Sequence, residues 1–208
     1  MHTTLIFDID GTLIDTEQAV LGSLQKLLKK NYDREISRQD LAFVLGIPGT
    51  VSLRQLGIDD LEYANKCWND FMREYQHTIH VYEGIQPLLA ELRERSVLTG
   101  VVTSKTKQEF LDDFVPFGLV HDLPYVVCAD DTKRHKPNPE PLLKFLEISG
   151  AKAEDSIYIG DTVYDYECAR DAGVDFGLAL WGCKQPDAIP ATYKFEHPAD
   201  IVALLNPQ

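Results

Sequence analysis

The sequence predicts an α/β protein in which a parallel sheet lies between two layers of helices and a small helical domain is inserted after the first strand. Three observations carry this expectation. Short apolar runs rich in β-branched residues recur at Leu5–Phe7, Gly100–Thr103, Tyr125–Cys128, Ser156–Ile159 and Phe176–Leu180, each the length of a strand buried on both faces. Helical patterns separate the later runs, so the order there reads as strands alternating with helices, the signature of a parallel sheet. The 65 residues from Thr16 to His80 interrupt that order and contain no convincing strand.

Taken in order, the first run is short and already broken by Asp8. The long interruption then offers helical stretches at Glu17–Lys30, Arg38–Leu45 and Leu61–Gln76, with a Gly/Pro-punctuated loop at Gly46–Thr50. The expected division is a core of residues 1–15 and 82–208 with an inserted helical domain at 16–81. The chain would leave the sheet near Asp15 and return near Tyr82–Glu83–Gly84, giving two strips that can act as a hinge. The alternative, helices packed directly on the sheet, is disfavoured because long detours without strands are uncommon in compact α/β units. In the repeat that follows, Lys107–Phe114, Glu140–Ser149 and Tyr164–Ala172 carry apolar residues near the 3.6 period. In such sheets ligands bind at the carboxyl ends of the strands.

Composition bounds the function. With 208 residues the chain can bury a real core, and 44% hydrophobic against 25% charged residues is that of a soluble globular protein. The net charge of −13 argues against a nucleic-acid polymer as partner. No apolar run approaches the roughly 20 residues needed to span a bilayer, and no signal-peptide pattern is present. The cysteines, at positions 67, 128, 168 and 183, show no CxxC pair and no zinc spacing. They read as reduced thiols, and the expected location is cytoplasmic. Nothing in the sequence indicates an oligomeric state.

Four short segments carry candidate chemistry. In Asp8-Ile9-Asp10-Gly11-Thr12 two carboxylates two apart share one face at the end of the first strand; the plain alternative is a strand-to-turn transition, for which Asp-Gly is a common signal. In Gly160-Asp161-Thr162-Val163-Tyr164-Asp165 two acids four apart sit at a helix start, where an acid is often just a cap. Both pairs fall at carboxyl ends of predicted strands. Four carboxylates converging there would carry about −4, which one lysine and a divalent cation reduce to about −1, so a bound cation is expected. An all-oxygen donor set without histidine or cysteine suits Mg²⁺. Thr103-Ser104-Lys105 offers hydroxyls and amides for phosphate oxygens, against the plain reading of a turn. Lys136-Pro137-Asn138-Pro139 offers a cation on a stretch stiffened by two prolines, against the plain reading of a solvated basic face from Lys133 to Lys136.

In this order and spacing the four segments resemble the motifs of the haloacid dehalogenase superfamily of hydrolases, across essentially the whole chain. The resemblance implies a Rossmann-like three-layer core and identifies the helical insert with that family's small cap, which closes over the substrate. It implies that Asp8 attacks phosphorus, that Asp10 acts as general acid and base and lends a backbone carbonyl to the metal, that Thr103, Ser104 and Lys136 bind the phosphoryl group, and that Asp8, Asp10, Asp161 and Asp165 form the Mg²⁺ site. Asp165 would act through water or by orienting Lys136. Family dehalogenases carry Tyr, and phosphonate hydrolases Ala, at the position of Asp10, so Asp10 favours hydrolysis of a small phosphorylated metabolite.

A phosphomutase of the β-phosphoglucomutase type also uses two such acids and is the competing enzyme. Its cap loop presents Lys and Arg, whereas Leu45-Gly46-Ile47-Pro48-Gly49-Thr50 has no charge and Arg54 is the nearest cation. Gly46, Ile47, Pro48, Gly49, Thr50 and Arg54 are the candidates for substrate selection, weighed against a plain helix-to-helix turn. A non-catalytic binding or regulatory protein on the same fold would be expected to lose Asp8 or Asp10, and both are present. Tyr63, Trp68, Phe71 and Tyr75 read as core of the insert rather than a ligand platform. His77 and His80, without a cysteine or third histidine, carry no assigned chemistry.

Overall fold

The structure, a computed structural model, describes residues 2–205. The chain opens with strand β1 (Thr4–Phe7), a two-residue strand β2 (Ile14–Asp15) and four helices, α1 (Glu17–Tyr32), α2 (Arg38–Leu41), α3 (Gly49–Gln55) and α4 (Leu61–Glu74). It returns through β3 (His80–Val81) and alternates helix and strand: α5 (Ile85–Glu94), β4 (Leu98–Val102), α6 (Lys107–Asp113), β5 (Tyr125–Val127), α7 (Glu140–Ser149), β6 (Ser156–Gly160), α8 (Val163–Ala172), β7 (Asp175–Ala179) and β8 (Tyr193–Phe195). Six strands form one parallel sheet in the order β5-β4-β1-β6-β7-β8, the Rossmann-like arrangement expected.

Alternation along β1 builds both layers. Leu5 and Phe7 pack with Leu88, Leu92 and Phe114 on one face, while Ile6 packs with Leu142, Phe145 and Cys168 on the other. Every residue of β1 is buried, which explains the unbroken apolar run. The register places Phe7 beside Val101 and Ile159. Asp8, Thr103 and Asp161, one or two residues further on, therefore emerge at the same carboxyl edge.

The helices between β2 and β3 bury a cluster of their own, including Leu24, Leu28, Leu41, Leu53 and Trp68. β2, which holds Asp15, pairs antiparallel with β3, which ends just before the return strip expected at Tyr82–Glu83–Gly84; strands of two residues each are too short for a period-2 signal. α5 and β8 were likewise missed: Pro87 inside the first and Lys194 inside the second interrupt their patterns. The loop expected at Gly46–Thr50 ends earlier, because Pro48 precedes the first turn of α3 and so places Gly49 and Thr50 in the helix. Of the four aromatics, Trp68 is buried, and Phe71 and Tyr75 pack against the cores, but Tyr63 is exposed and is not core. All four cysteines are free, and no helix among the described residues is long and apolar enough to cross a membrane.

Inside the helical cluster Trp68 donates its indole N–H to Ser23 Oγ at 2.9 Å, and Ser23 passes its proton to the Ala19 carbonyl at 2.6 Å. Ser23→Ala leaves a buried indole donor unpaired, which costs about 1–3 kcal/mol; thermal unfolding should show Tm falling by several degrees. The double variant Ser23→Ala/Trp68→Phe, which removes both partners, should lose less than the sum of the two single changes.

Candidate active site

The turn after β1 aims Asp8 into the sheet edge. Gly11 adopts φ +79°, and a Cβ there would collide with the Asp161 carboxylate. Only glycine lets the two acidic segments approach this closely. Thr12 Oγ1 donates to Asp161 Oδ1 at 3.3 Å, bracing the contact.

Asp8, Asp161 and Asp165 each present a carboxylate oxygen within 4.8 Å of the others, all buried. Lys136 enters from the loop before α7 and is buried among them, 2.9 Å from Asp8 Oδ1 and 2.6 Å from Asp165 Oδ1. It belongs to the charge cluster and not to a solvated face, although Lys133 and Arg134 beside it are exposed. Burial pushes the Asp8 carboxyl up to about 7 against the pull of Lys136, with Asp165 and Asp10 adding to the rise. Burial likewise raises Asp161 well above the ordinary carboxyl range.

Asp165 has little left to offer a ligand. Its Oδ1 faces Lys136 and the Tyr158 hydroxyl, while Oδ2 accepts from the Thr162 amide at 3.0 Å and the Thr162 hydroxyl at 2.5 Å. The Thr162 contacts form a capping box that starts α8, so the same carboxylate caps the helix and holds Lys136. Asp8 Oδ2, by contrast, is buried without a hydrogen-bond partner in the chain. Asp8 Oδ2 and the Asp161 carboxylate therefore form a hard, all-oxygen donor set that fits a cation such as Mg²⁺.

The Asp10 side chain stands apart from this cluster. Its Oδ1 lies 3.1 Å from Lys105 Nζ, which also pairs with Asp113 at 3.2 Å. The expected charge of −4 is thus corrected. Three carboxylates and one lysine leave −2 around Asp8, equal and opposite to a divalent cation, and Lys105 compensates Asp10 separately. Thr103 is buried and its Oγ1 accepts from the Lys105 amide at 3.2 Å, which leaves its own proton to donate. The Ser104 hydroxyl instead donates to the Gly46 carbonyl at 2.8 Å, so its proton holds the loop before α3.

Gly46 itself has φ +86°, and a Cβ would press on the Thr162 side chain at 2.9 Å. The loop is thereby wedged between the ends of β4 and β6 and roofs a cavity of about 90 Å³ whose floor is Asp8 and Asp10. Gly46, Ile47 and Gly49 line it, whereas Pro48, Thr50 and Arg54 do not, and Arg54 is exposed. His77 and His80 are exposed, away from it.

Several contributors were not assigned from the sequence. Lys105 was visible only as the residue after Thr103-Ser104, and its partner Asp113 lies on the next helix. Tyr158 sits mid-strand between two isoleucines, where a buried hydroxyl among apolar neighbours was the available signal. Asn65 and Asn69, one helical turn apart on α4, line the cavity beside Trp68.

A family model described as haloacid dehalogenase-like hydrolase matches residues 5–179. A protein of Caldanaerobacter subterraneus subsp. tengcongensis, provisionally named pyrophosphatase PpaX, is 32% identical over 180 residues, covering 86% of this chain and 82% of that one. The pyrophosphatase PpaX of Halalkalibacterium halodurans is 29% identical over 191 residues, covering 89% and 87%. A crystal structure from Lactobacillus plantarum, of a protein provisionally named phosphoglycolate phosphatase, superposes with a TM-score of 0.89 at 31% identity, covering 98% of this chain and 99% of that one. The family match runs across the same strands whose ends gather the acids and Lys136, and on that ground the chain belongs to the haloacid dehalogenase-like hydrolase family.

Proposed function

We propose that this hydrolase is a Mg²⁺-dependent phosphatase that cleaves a small phosphate monoester through a phosphorylated Asp8. The observation that carries the reading is Asp8 Oδ2, a buried carboxylate oxygen with no partner in the chain, on a residue that lines the cavity under the Gly46 loop. Relatives named for phosphatase activity support it.

Lys136 holds Asp8 by its Oδ1, leaving the carboxylate oriented for attack on phosphorus. The Asp8 oxygen bonds to phosphorus as the ester P–O bond breaks. The leaving oxygen takes a proton from Asp10, which then takes one from the water that hydrolyses the phosphoryl-Asp8 bond. Asp10 is the acid of the pair that retains some exposure, 21% of its side chain, which suits a group that trades protons with substrate and water. The Thr103 hydroxyl donates to a phosphoryl oxygen. Asp165 and Tyr158 are positioning residues, since both touch Lys136 and the oxygens of Asp165 are taken up by Lys136, Tyr158 and Thr162. Residues 16–81 act as a cap: with Ser104 holding Gly46, the roof excludes water from the reacting centre. Asp8 and Asp161 would hold Mg²⁺, which offsets the residual −2 and stabilises charge on the transferring phosphoryl group.

Asp8→Asn should lower phosphate release from small esters by roughly 10³-fold or more, measured against the wild-type chain with Mg²⁺ and with EDTA; activity retained by the variant defeats the covalent route. Asp10→Asn should cost about 10²–10⁴-fold while leaving folding intact by circular dichroism, because Asp10 lies outside the buried cluster.

The raised Asp8 carboxyl also sets a pH dependence. A cation needs the ionised form, so protons compete with it below about pH 7. The rise in Tm on adding Mg²⁺ should therefore be larger at pH 8 than at pH 6. An equal rise at both would separate cation binding from Asp8 ionisation.

A further inference from the structure

We infer that the leaving group this site accepts is an alcohol carrying hydrogen-bond donors and no negative charge, an ammonium or hydroxyl group rather than a carboxylate or a second phosphate. The inference rests on the phosphatase reading above and concerns the half of the cavity that faces away from Asp8.

The charge of the leaving group follows from the lining. Among the described residues the one cation on the cavity wall is Lys105, and it is already committed to two carboxylates, Asp10 at 3.1 Å and Asp113 at 3.2 Å. Glu109 adds a third carboxylate, held in place by the Thr106 amide and by Asn69 of α4. With Asp10 carrying the proton it gives to the leaving oxygen, Asp113 and Glu109 against one ammonium still leave the wall negative. An anionic leaving group would be desolvated against it with no free cation to pair with, a like-charge arrangement that excludes ligands effectively.

The same wall offers acceptors. Asn65 lines the cavity, and its Oδ1, packed beside Gly49, is buried without a hydrogen-bond partner; an unpaired buried acceptor is costly until a donor meets it. A hydroxyl or ammonium on the leaving group supplies that donor, whereas a carboxylate or phosphate brings only further acceptors. The approach to the cavity has the same sign. A groove between α4 and α6, sharing Asn65, Glu109 and Asp113 with the cavity, adds Glu62, Asp70 and Asp112 against Lys66 and Arg73. Its field lowers the local concentration of multiply charged anions and raises that of compounds with a cationic end. The uncharged roof of Gly46 and Ile47 supplies no compensating cation.

The test is a comparison of kcat/KM with Mg²⁺ for small phosphorylated compounds: O-phosphoethanolamine and glycerol 1-phosphate against 2-phosphoglycolate and the anhydride pyrophosphate, with acetyl phosphate as a small reactive reference. The expected result is that at least one of the first two exceeds both anionic compounds by tenfold or more, phosphoethanolamine leading if the acceptors seek an ammonium and glycerol phosphate if they seek hydroxyls. Glu109→Gln should raise kcat/KM for phosphoglycolate and shrink the preference at least threefold, a gain that damaged folding does not produce. Turnover of acetyl phosphate with phosphoglycolate or pyrophosphate as the best ester overturns this inference and leaves the phosphatase reading standing. An unchanged preference in Glu109→Gln also overturns it. No turnover of any compound, acetyl phosphate included, overturns both.

Discussion

The rest of the site depends on one buried ammonium. Lys136 Nζ touches Asp8, Asp165 and the Tyr158 hydroxyl at 2.6–3.0 Å in a place where none of the four side chains meets bulk water. Three carboxylates this close would not remain ionised together in a folded chain without it. Removing one partner of such a buried pair costs about 3–5 kcal/mol, because the other charge is left uncompensated. The arrangement is therefore both a condition of folding at this sheet edge and the reason Asp8 is held by one oxygen and free at the other.

The structure economises on groups around that ammonium. Asp165 starts α8 by capping it through Thr162 and, with its other oxygen, fixes Lys136. Tyr158 rides on β6, reaches the Val102 carbonyl at the end of β4 and meets Lys136 and Asp165 on the way. Burial between those acids holds its phenol well above the ordinary range, so it stays a neutral hydrogen-bonding spacer. Two strands, a helix start and a loop are thereby tied to one point, and none of these positioning groups lines the cavity. The second ammonium, Lys105, organises the opposite wall in the same manner, holding Asp10 and Asp113. Two lysines thus divide the acids into a set around Asp8 and a set around Asp10.

The helical cluster enters this scheme through the carbonyl of Gly46. Ser104 at the end of β4 donates to it, and Thr162 at the start of α8 packs against its α-carbon. The roof is therefore registered to the same two strand ends that position Thr103 and Asp161. A glycine is required at that point because the backbone has a positive φ and a side chain would strike Thr162.

The sheet was legible in the sequence because its four inner strands are buried on both faces and, with the half-buried edge strand β5, leave apolar runs, and because Asp8, Asp161 and Lys136 occupy short segments at their ends. Spacing alone also brought Asp165 to the site, since four residues is one helical turn. What it could not supply was the partner of each charge. Asp10, two residues from Asp8, was expected in the same acidic group; the turn at Gly11 and the reach of Lys105 place it in another. Ser104 was expected to face phosphate, but its proton goes to a carbonyl 58 residues earlier in the chain. By itself the sequence determined the succession of most strands and helices along the chain, the identity of the acids and the cations available to them, because these follow from periodicity and residue type. Only the tertiary structure decided which cation meets which acid and which oxygen is left without a partner, because those pairings join residues far apart in sequence that packing alone brings within hydrogen-bond distance.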